Sequence, residues 1–297
     1  MKNVYLVIGG NGLVGRRFLR DLRAKEGTII GTYYSRREPG LKKLNILNLE
    51  ELERCFGEIK PTHVFFCANF SGGVFACEKN PSLSDAFHEK AVQDIGRLCH
   101  NFKSYFIFLS TDYVFNGKKS EYIETDIYSP LNIYGRAKMN AEKWLLKHLS
   151  DILVIRTTNI YGWDPSSVTP NYIMQCFCAL RKQETFTAID NLFGKPTYVG
   201  SLTKAVLELI EVKARGIYHI VGADYVSRYE WIREACRVFK FDCRDVNKEF
   251  LDFDHMEIQR PKGVNLSTQK FRNMFQMPLL GIRKGLENMR DDMCSHG

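Results

Sequence analysis

No apolar run in this 297-residue chain approaches the roughly 18 residues that a membrane-spanning helix requires, so no membrane partner is expected. The sequence has no Cys-x-x-Cys pair and no clustered histidines, which argues against a structural zinc site, and no metal is assigned. Its nine cysteines are odd in number and scattered. Several, such as Cys67, lie inside apolar runs, and Cys176-x-Cys178 points its two thiols apart. That pattern fits reduced thiols in a cytoplasmic protein rather than a disulfide framework. There is no low-complexity tract. The N-terminal run M-K-N-V-Y-L-V-I stops at two glycines without a small-residue cleavage site, and reads as a first strand rather than a signal peptide.

Hydrophobic residues make up 44% and charged residues 26% of the chain, an ordinary globular balance. The formal net charge is +8, but the basic residues are spread along the chain without any recognition-helix, zinc-finger or ribonucleoprotein signature. Nucleic acid is therefore not expected as a partner. A basic surface also suits a small polyanion such as a nucleotide.

Short β-branched or aromatic runs alternate with helical patterns through the first half. Strands are predicted at Val4 to Ile8, Thr28 to Tyr33, His63 to Cys67, Tyr105 to Leu109 and Ile152 to Arg156. Helices are predicted at Leu13 to Ala24, Leu49 to Glu58, Leu83 to Asn101 and Ile133 to Leu149. Alternation of this kind, with nearly continuous apolar strands, implies βαβ units and a doubly wound parallel sheet, an α/β fold. Beyond Trp163-Asp164-Pro165 the pattern becomes mostly helical. The expected division is a dinucleotide-binding domain over 1–165, rejoined by 200–221, and a smaller C-terminal substrate lobe over 166–199 and 222–297, with a ligand cleft between them.

Gly9-Gly10-Asn11-Gly12-Leu13-Val14-Gly15 follows the first strand and opens a helix. Glycines there permit a tight turn and close backbone approach, and a helix N-terminus offers amide donors to a pyrophosphate. In that context the loop predicts a Rossmann-type dinucleotide site. The second strand runs into Ser35-Arg36-Arg37, with no Asp or Glu between Glu26 and Glu38. An acidic residue there would favour a free ribose 2′-hydroxyl, and arginine favours a 2′-phosphate. The cofactor is therefore expected to be NADP, with NAD as the alternative.

Ser110-Thr111-Asp112-Tyr113 stands at the carboxyl end of a predicted parallel strand, where open α/β sheets bind ligands. Downstream, Tyr134 and Lys138 are four apart at the start of a helical pattern, which places them on one face. A phenol of pKa about 10 becomes useful for proton transfer when a neighbouring cation lowers that value. Among 14 tyrosines, roughly one such pair arises by chance, so its meaning comes from position.

Taken in order, Gly9-x-x-Gly12-x-x-Gly15, Ser110-Thr111-Asp112-Tyr113-Val114-Phe115-x-Gly117 and Pro130-Leu131-Asn132-x-Tyr134-Gly135-x-x-Lys138 form a series. Arg156-Thr157, Tyr161-Gly162, Phe193-Gly194-x-Pro196-Thr197, Gly216-x-Tyr218-His219 and Arg260-Pro261 continue it. The sequence thereby resembles the extended short-chain dehydrogenase/reductases, in the branch typified by dTDP-4-dehydrorhamnose reductase. That branch also includes the regulatory β subunit of methionine adenosyltransferase. The resemblance implies NADPH-dependent reduction of the C4 ketone of a nucleotide-linked 4-keto-6-deoxy sugar, in deoxysugar or polysaccharide biosynthesis. Tyr134 would donate the proton, Lys138 would lower its pKa and hold the nicotinamide ribose, and Thr111 would bond the carbonyl oxygen. Ser110, Asp112, Tyr113, Asn159, Lys195 and Arg260 would contact the sugar nucleotide. The glycine loop, Ser35 to Arg37, Asn45 and Ile46, and Cys67-Ala68-Asn69 would line the cofactor with Tyr134 and Lys138. A homodimer is compatible with the family.

Four positions depart from the family pattern. Asn159 replaces a tryptophan, Lys90 falls where many members place an asparagine, and Asn45 replaces an aspartate near the adenine. The loop Phe70 to Phe75 lacks its usual acid and carries an extra glycine. Trp163 suits either stacking on a ligand or burial as a core aromatic. The competing readings are a non-catalytic NADP-binding regulatory subunit and a sugar-nucleotide epimerase or dehydratase.

Overall fold

The computed structural model describes residues 2–70, 72–167 and 169–295. The apolar runs form a seven-stranded sheet. Its strands, in chain order, are β1 (Val4–Ile8), β2 (Thr28–Tyr33), β3 (Lys42–Lys43), β4 (His63–Phe66), β5 (Tyr105–Thr111), β6 (Ile152–Thr157) and β7 (Gly216–His219). In space they run β7-β6-β5-β4-β1-β2-β3. β1 pairs in parallel with both β2 and β4, and β4 with β5. The order reverses beside β1, the arrangement in which open sheets bind ligands at strand carboxyl ends.

Side chains on a strand alternate between faces, and both faces here are apolar. Leu6, Ile8, Val64 and Phe66 join one core cluster. Phe65, between the last two, packs instead on Phe18, with ring centroids 4.8 Å apart. This two-sided burial explains why the strands read as unbroken apolar runs. The covering helices are α1 (Leu13–Asp21), α2 (Leu49–Ile59), α3 (Gly73–Lys79), α4 (Pro81–Asp85), α5 (Ala91–Phe102) and α6 (Ile133–His148).

The helix predicted from Leu83 to Asn101 is interrupted. A π-helical turn, Ala86–Lys90, separates α4 from α5. It buries His88 completely and seats Phe87 against the core cluster.

The chain divides into two compact units. The first comprises Met1–Phe115, Ile127–Arg156 and Leu207–Tyr218, and the second Asn116–Asp126, Thr157–Val206 and His219–Gly297. In the second unit, the helix Arg228–Phe239 starts with a capping box in which Ser227 and Glu230 satisfy each other's backbone amides. It carries Trp231 into a core with Tyr161 and Tyr172, at centroid distances of 5.2 and 5.7 Å. Short two-strand pairings surround these helices. Among the described residues no helix is long and apolar enough to cross a membrane.

Candidate active site

The glycine loop turns sharply at Gly9, whose φ of +81° disfavours any residue with a side chain. A Cβ at Gly15 would lie 2.1 Å from the Gly9 carbonyl oxygen, so Gly15 is required by the fold of the loop itself. Gly12 differs: its φ is −87°, and the nearest atom to an added Cβ is 3.5 Å away. The protein has no steric need for glycine there, and the free space lies at the N-terminus of α1. That helix has no side-chain cap and no acid in its first turn, which leaves its amide donors and partial positive charge available to an anion. Asn11 Nδ2 donates to the Arg36 carbonyl at 3.0 Å and so ties the exposed Ser35–Arg37 turn to the glycine loop. These residues fit a dinucleotide phosphate. Cys67 continues from β4, its amide bonded to Ile8 O at 2.9 Å, and the Ala68 backbone abuts Gly9. Burial pushes the Cys67 thiol pKa up. Ile46 belongs to the core cluster, and Asn45 Oδ1 already accepts from the Leu47 amide at 3.1 Å. Asn69 is exposed.

β5 runs two residues further than its apolar stretch, so Ser110 and Thr111 are strand residues that face opposite sides. Ser110 donates to Glu142 Oε1, within a buried network in which Arg156 also bonds Glu142. Thr111 caps the short turn Asp112–Val114, accepting from the Tyr113 amide at 3.2 Å, and its hydroxyl lies 3.1 Å from Asp112 Oδ1. The same hydroxyl lies near the Tyr134 phenol and draws its pKa down.

α6 starts where its caps dictate. Asn132 Oδ1 accepts from the Gly135 amide at 2.9 Å, and Glu78 Oε1 accepts from the Ile133 amide at 2.6 Å. A Cβ at Gly135 would sit 2.2 Å from the Tyr113 carbonyl, so glycine lets the helix approach close beneath that loop. Tyr134 lies edge-on between Tyr113, at 6.1 Å, and His88, at 5.1 Å. Lys138, one turn on, is 3% exposed and donates to Leu109 O at 2.9 Å, over the Phe108 ring. Burial lowers its pKa to about 8, against opposing attraction from Glu142. Burial also pushes the Tyr134 phenol up, and the group that pulls it back is the Thr111 hydroxyl; Asp112, Cys77 and Tyr113 push it further up. The first unit thus gathers Thr111, Asp112, Tyr113, Tyr134 and Lys138.

Asn159, Lys195 and Arg260 belong to the second unit. Asn159 has φ +46° and accepts from Arg228 Nη2 at 3.2 Å, while Lys195 is buried and donates to Leu266 O at 2.9 Å. Arg260 Nε is buried without a hydrogen-bond partner among the described residues. Trp163 packs edge-on against Phe177 at 5.3 Å. Lys90 lies on the surface in an ion pair with Asp94 at 2.5 Å; the residue of that segment that faces Tyr134 is His88. Sequence reasoning missed His88 and Arg228, the latter 4.5 Å above the Tyr172 ring. His88 stands among other polar residues, Ser84, Asp85, Glu89 and Lys90, so local composition carried no signal for it. Of the altered loop, Ser71 lies outside the described residues; Gly72 and Gly73 have φ of +88° and +59° and lead into α3.

One relative is the methionine adenosyltransferase 2 subunit beta of Xenopus laevis, 26% identical over 76% of this chain and 69% of that protein. Another is the probable low-salt glycan biosynthesis reductase Agl14 of Haloferax volcanii, 28% identical over 80% of each. The fold is shared with a dTDP-4-dehydrorhamnose reductase from Bacillus anthracis solved with NADP, at TM-score 0.88 and 22% identity over 98% of this chain and 100% of that one. Residues 2–295 match the family described as RmlD substrate binding domain. Since that match runs through both units, the chain belongs to the RmlD substrate binding domain family.

Proposed function

We propose that the protein is an NADPH-dependent reductase of the C4 ketone of a nucleotide-linked 4-keto-6-deoxy sugar. The observation that carries this reading is that the Thr111 hydroxyl lies close enough to the Tyr134 phenol to draw its pKa down, with Lys138 one helical turn away. It places two hydroxyl donors together at the carboxyl end of β5, where a developing alkoxide needs them. The similarity to a dTDP-4-dehydrorhamnose reductase and to a glycan biosynthesis reductase supports it.

The glycine loop and α1 N-terminus would hold the pyrophosphate, Ser35 to Arg37 the 2′-phosphate, and Lys138 the nicotinamide ribose. NADPH, when bound, supplies a hydride. Tyr134 gives its phenolic proton to the ketone oxygen, and Thr111 donates a hydrogen bond to the same atom. A phenol held up by burial keeps its proton at neutral pH until the more basic alkoxide forms. Asp112 and Tyr113 line the sugar side.

The test is NADPH oxidation at 340 nm with dTDP-, UDP-, GDP- and CDP-4-keto-6-deoxy sugars. Consumption with at least one is expected. A chain that binds NADPH and consumes it with none sinks the reductase reading. It would favour a non-catalytic regulatory subunit, the reading that the methionine adenosyltransferase subunit relatives support.

A further inference from the structure

Three buried polar atoms on and just before the π-helical turn have no hydrogen-bond partner among the described residues: Asp85 Oδ1 and both ring nitrogens of His88. Leaving such an atom unsatisfied is costly, and native interiors normally satisfy it with protein or bound water. Both nitrogens of one fully buried imidazole are involved here. His88 sits on the π-helical turn Ala86–Lys90, and such turns concentrate at functional sites. Its ring packs between Phe87, at 5.0 Å, and the Tyr134 ring, at 5.1 Å. Phenylalanine would fill that space equally well without stranding two polar atoms. Burial, reinforced by the Lys138 ammonium, holds the imidazole neutral, so one nitrogen is a donor and the other an acceptor.

If the reductase reading holds, every turnover leaves Tyr134 as a phenolate, which must regain one proton from solvent. Lys138, one turn away on α6, donates to Leu109 O and in that reading also holds the nicotinamide ribose. We propose that His88 conducts that proton to Tyr134 through buried water. One ring nitrogen releases its proton by way of water to the phenolate oxygen. The other nitrogen takes a proton from water on the side of Asp85, which is partly exposed one turn earlier. The imidazole ends neutral with its tautomer exchanged, and rotation of the ring between turnovers restores the starting arrangement without passing a proton back from Tyr134. Hydride and phenolic proton go to the substrate, and the net uptake is one solvent proton. His88 acts through Tyr134 and does not touch the substrate.

His88→Phe keeps the ring packing and removes the conduction. In rapid-mixing experiments with NADPH and a dTDP-4-keto-6-deoxy sugar, the first turnover uses the proton already on Tyr134. The variant is therefore expected to show a burst of one NADPH per site at the wild-type rate. Steady-state turnover should then be slower by about 10²-fold, the scale of a lost proton-transfer group, with unchanged NADPH affinity. A purely structural role would slow the first turnover equally; that result, or an unaltered steady state, overturns the proposal. Exchange of the His88 ring N–H with water is followed in parallel by NMR of the ¹⁵N-histidine-labelled wild type, which needs no activity. Exchange within seconds supports the water route, and persistence for hours overturns it. Absence of NADPH consumption by the wild type counts against the reductase reading, and ring exchange then decides the route by itself.

Discussion

Arg156 Nη2 donates to Glu142 Oε2 at 2.7 Å with neither side chain exposed. The same carboxylate accepts from Ser110 and, at 2.9 Å, from Tyr128. Three strand and helix segments of the first unit are thereby locked beneath Thr111. Removing one partner leaves an uncompensated buried charge, whereas replacing both with apolar residues removes the desolvation cost as well. Glu142→Leu is expected to lose about 3–5 kcal/mol in urea unfolding. The double variant Glu142→Leu/Arg156→Met should lose less than the single one. Losses that simply add would show that the two charges do not compensate each other.

The glycine loop offers a contrast between folding and binding. Gly15→Ala forces a Cβ to within 2.1 Å of the Gly9 oxygen, whereas Gly12→Ala meets nothing nearer than 3.5 Å. Gly15→Ala should lower both melting temperature and NADPH affinity. Gly12→Ala should leave stability within about 0.5 kcal/mol while weakening NADPH, because its methyl occupies the space before α1. Calorimetry of melting and binding on both variants checks this. A Gly12→Ala protein that binds NADPH normally removes the loop from the cofactor site.

Tyr134→Phe keeps the ring between Tyr113 and His88 and deletes the hydroxyl that meets Thr111. Turnover should fall by about 10²-fold or more, with NADPH affinity nearly unchanged, as for a lost general acid. Retention of most activity would take the phenol out of the chemistry.

Lys138 links stability to pH. Its pKa falls from 10.5 to about 8 on burial, so between those values the unfolded chain binds more protons than the folded one. Stability from this group therefore rises with pH across that window, and below pH 8 the full penalty of a buried ammonium remains. At pH 7 that penalty is on the order of 3 kcal/mol. Lys138→Met should thus stabilise the protein at pH 7, and its advantage over wild type should shrink between about pH 8 and 10.5. Urea midpoints for the two proteins across that range measure it; a constant difference contradicts the assignment.

Cofactor choice is tested at the basic turn. Asn11 holds the Arg36 carbonyl against the glycine loop, so Arg36→Ala should weaken NADPH far more than NADH in fluorescence titrations. Equal losses would mean that the turn does not read the 2′-phosphate.

Much of the first unit was legible in the sequence. A strand buried on both faces is apolar throughout, so Val4–Ile8 announced itself with the bounds it has in the structure, and the β-branched run in Thr28–Tyr33 did the same for a strand that is only partly buried. The glycine loop was legible because a φ of +81° at Gly9 and the 2.1 Å approach at Gly15 admit no other residue. Tyr134 and Lys138 follow from helical spacing, and residues 2–295 matched their family.

Other features depended on contacts between segments distant in the chain. Local composition does not encode which way a strand-end hydroxyl points. The extension of β5 to Thr111 turned Ser110 toward Glu142, 32 residues away, and Thr111 toward Tyr134. Apolar periodicity alone predicts one helix from Leu83 to Asn101. The π-helical turn that breaks it forms where Phe87 and His88 pack against β4 and α6. The proton state of the site was likewise a tertiary outcome. A lysine four residues from a tyrosine suggests a lowered phenol pKa, but burial dominates both groups, moving the lysine down and the phenol up.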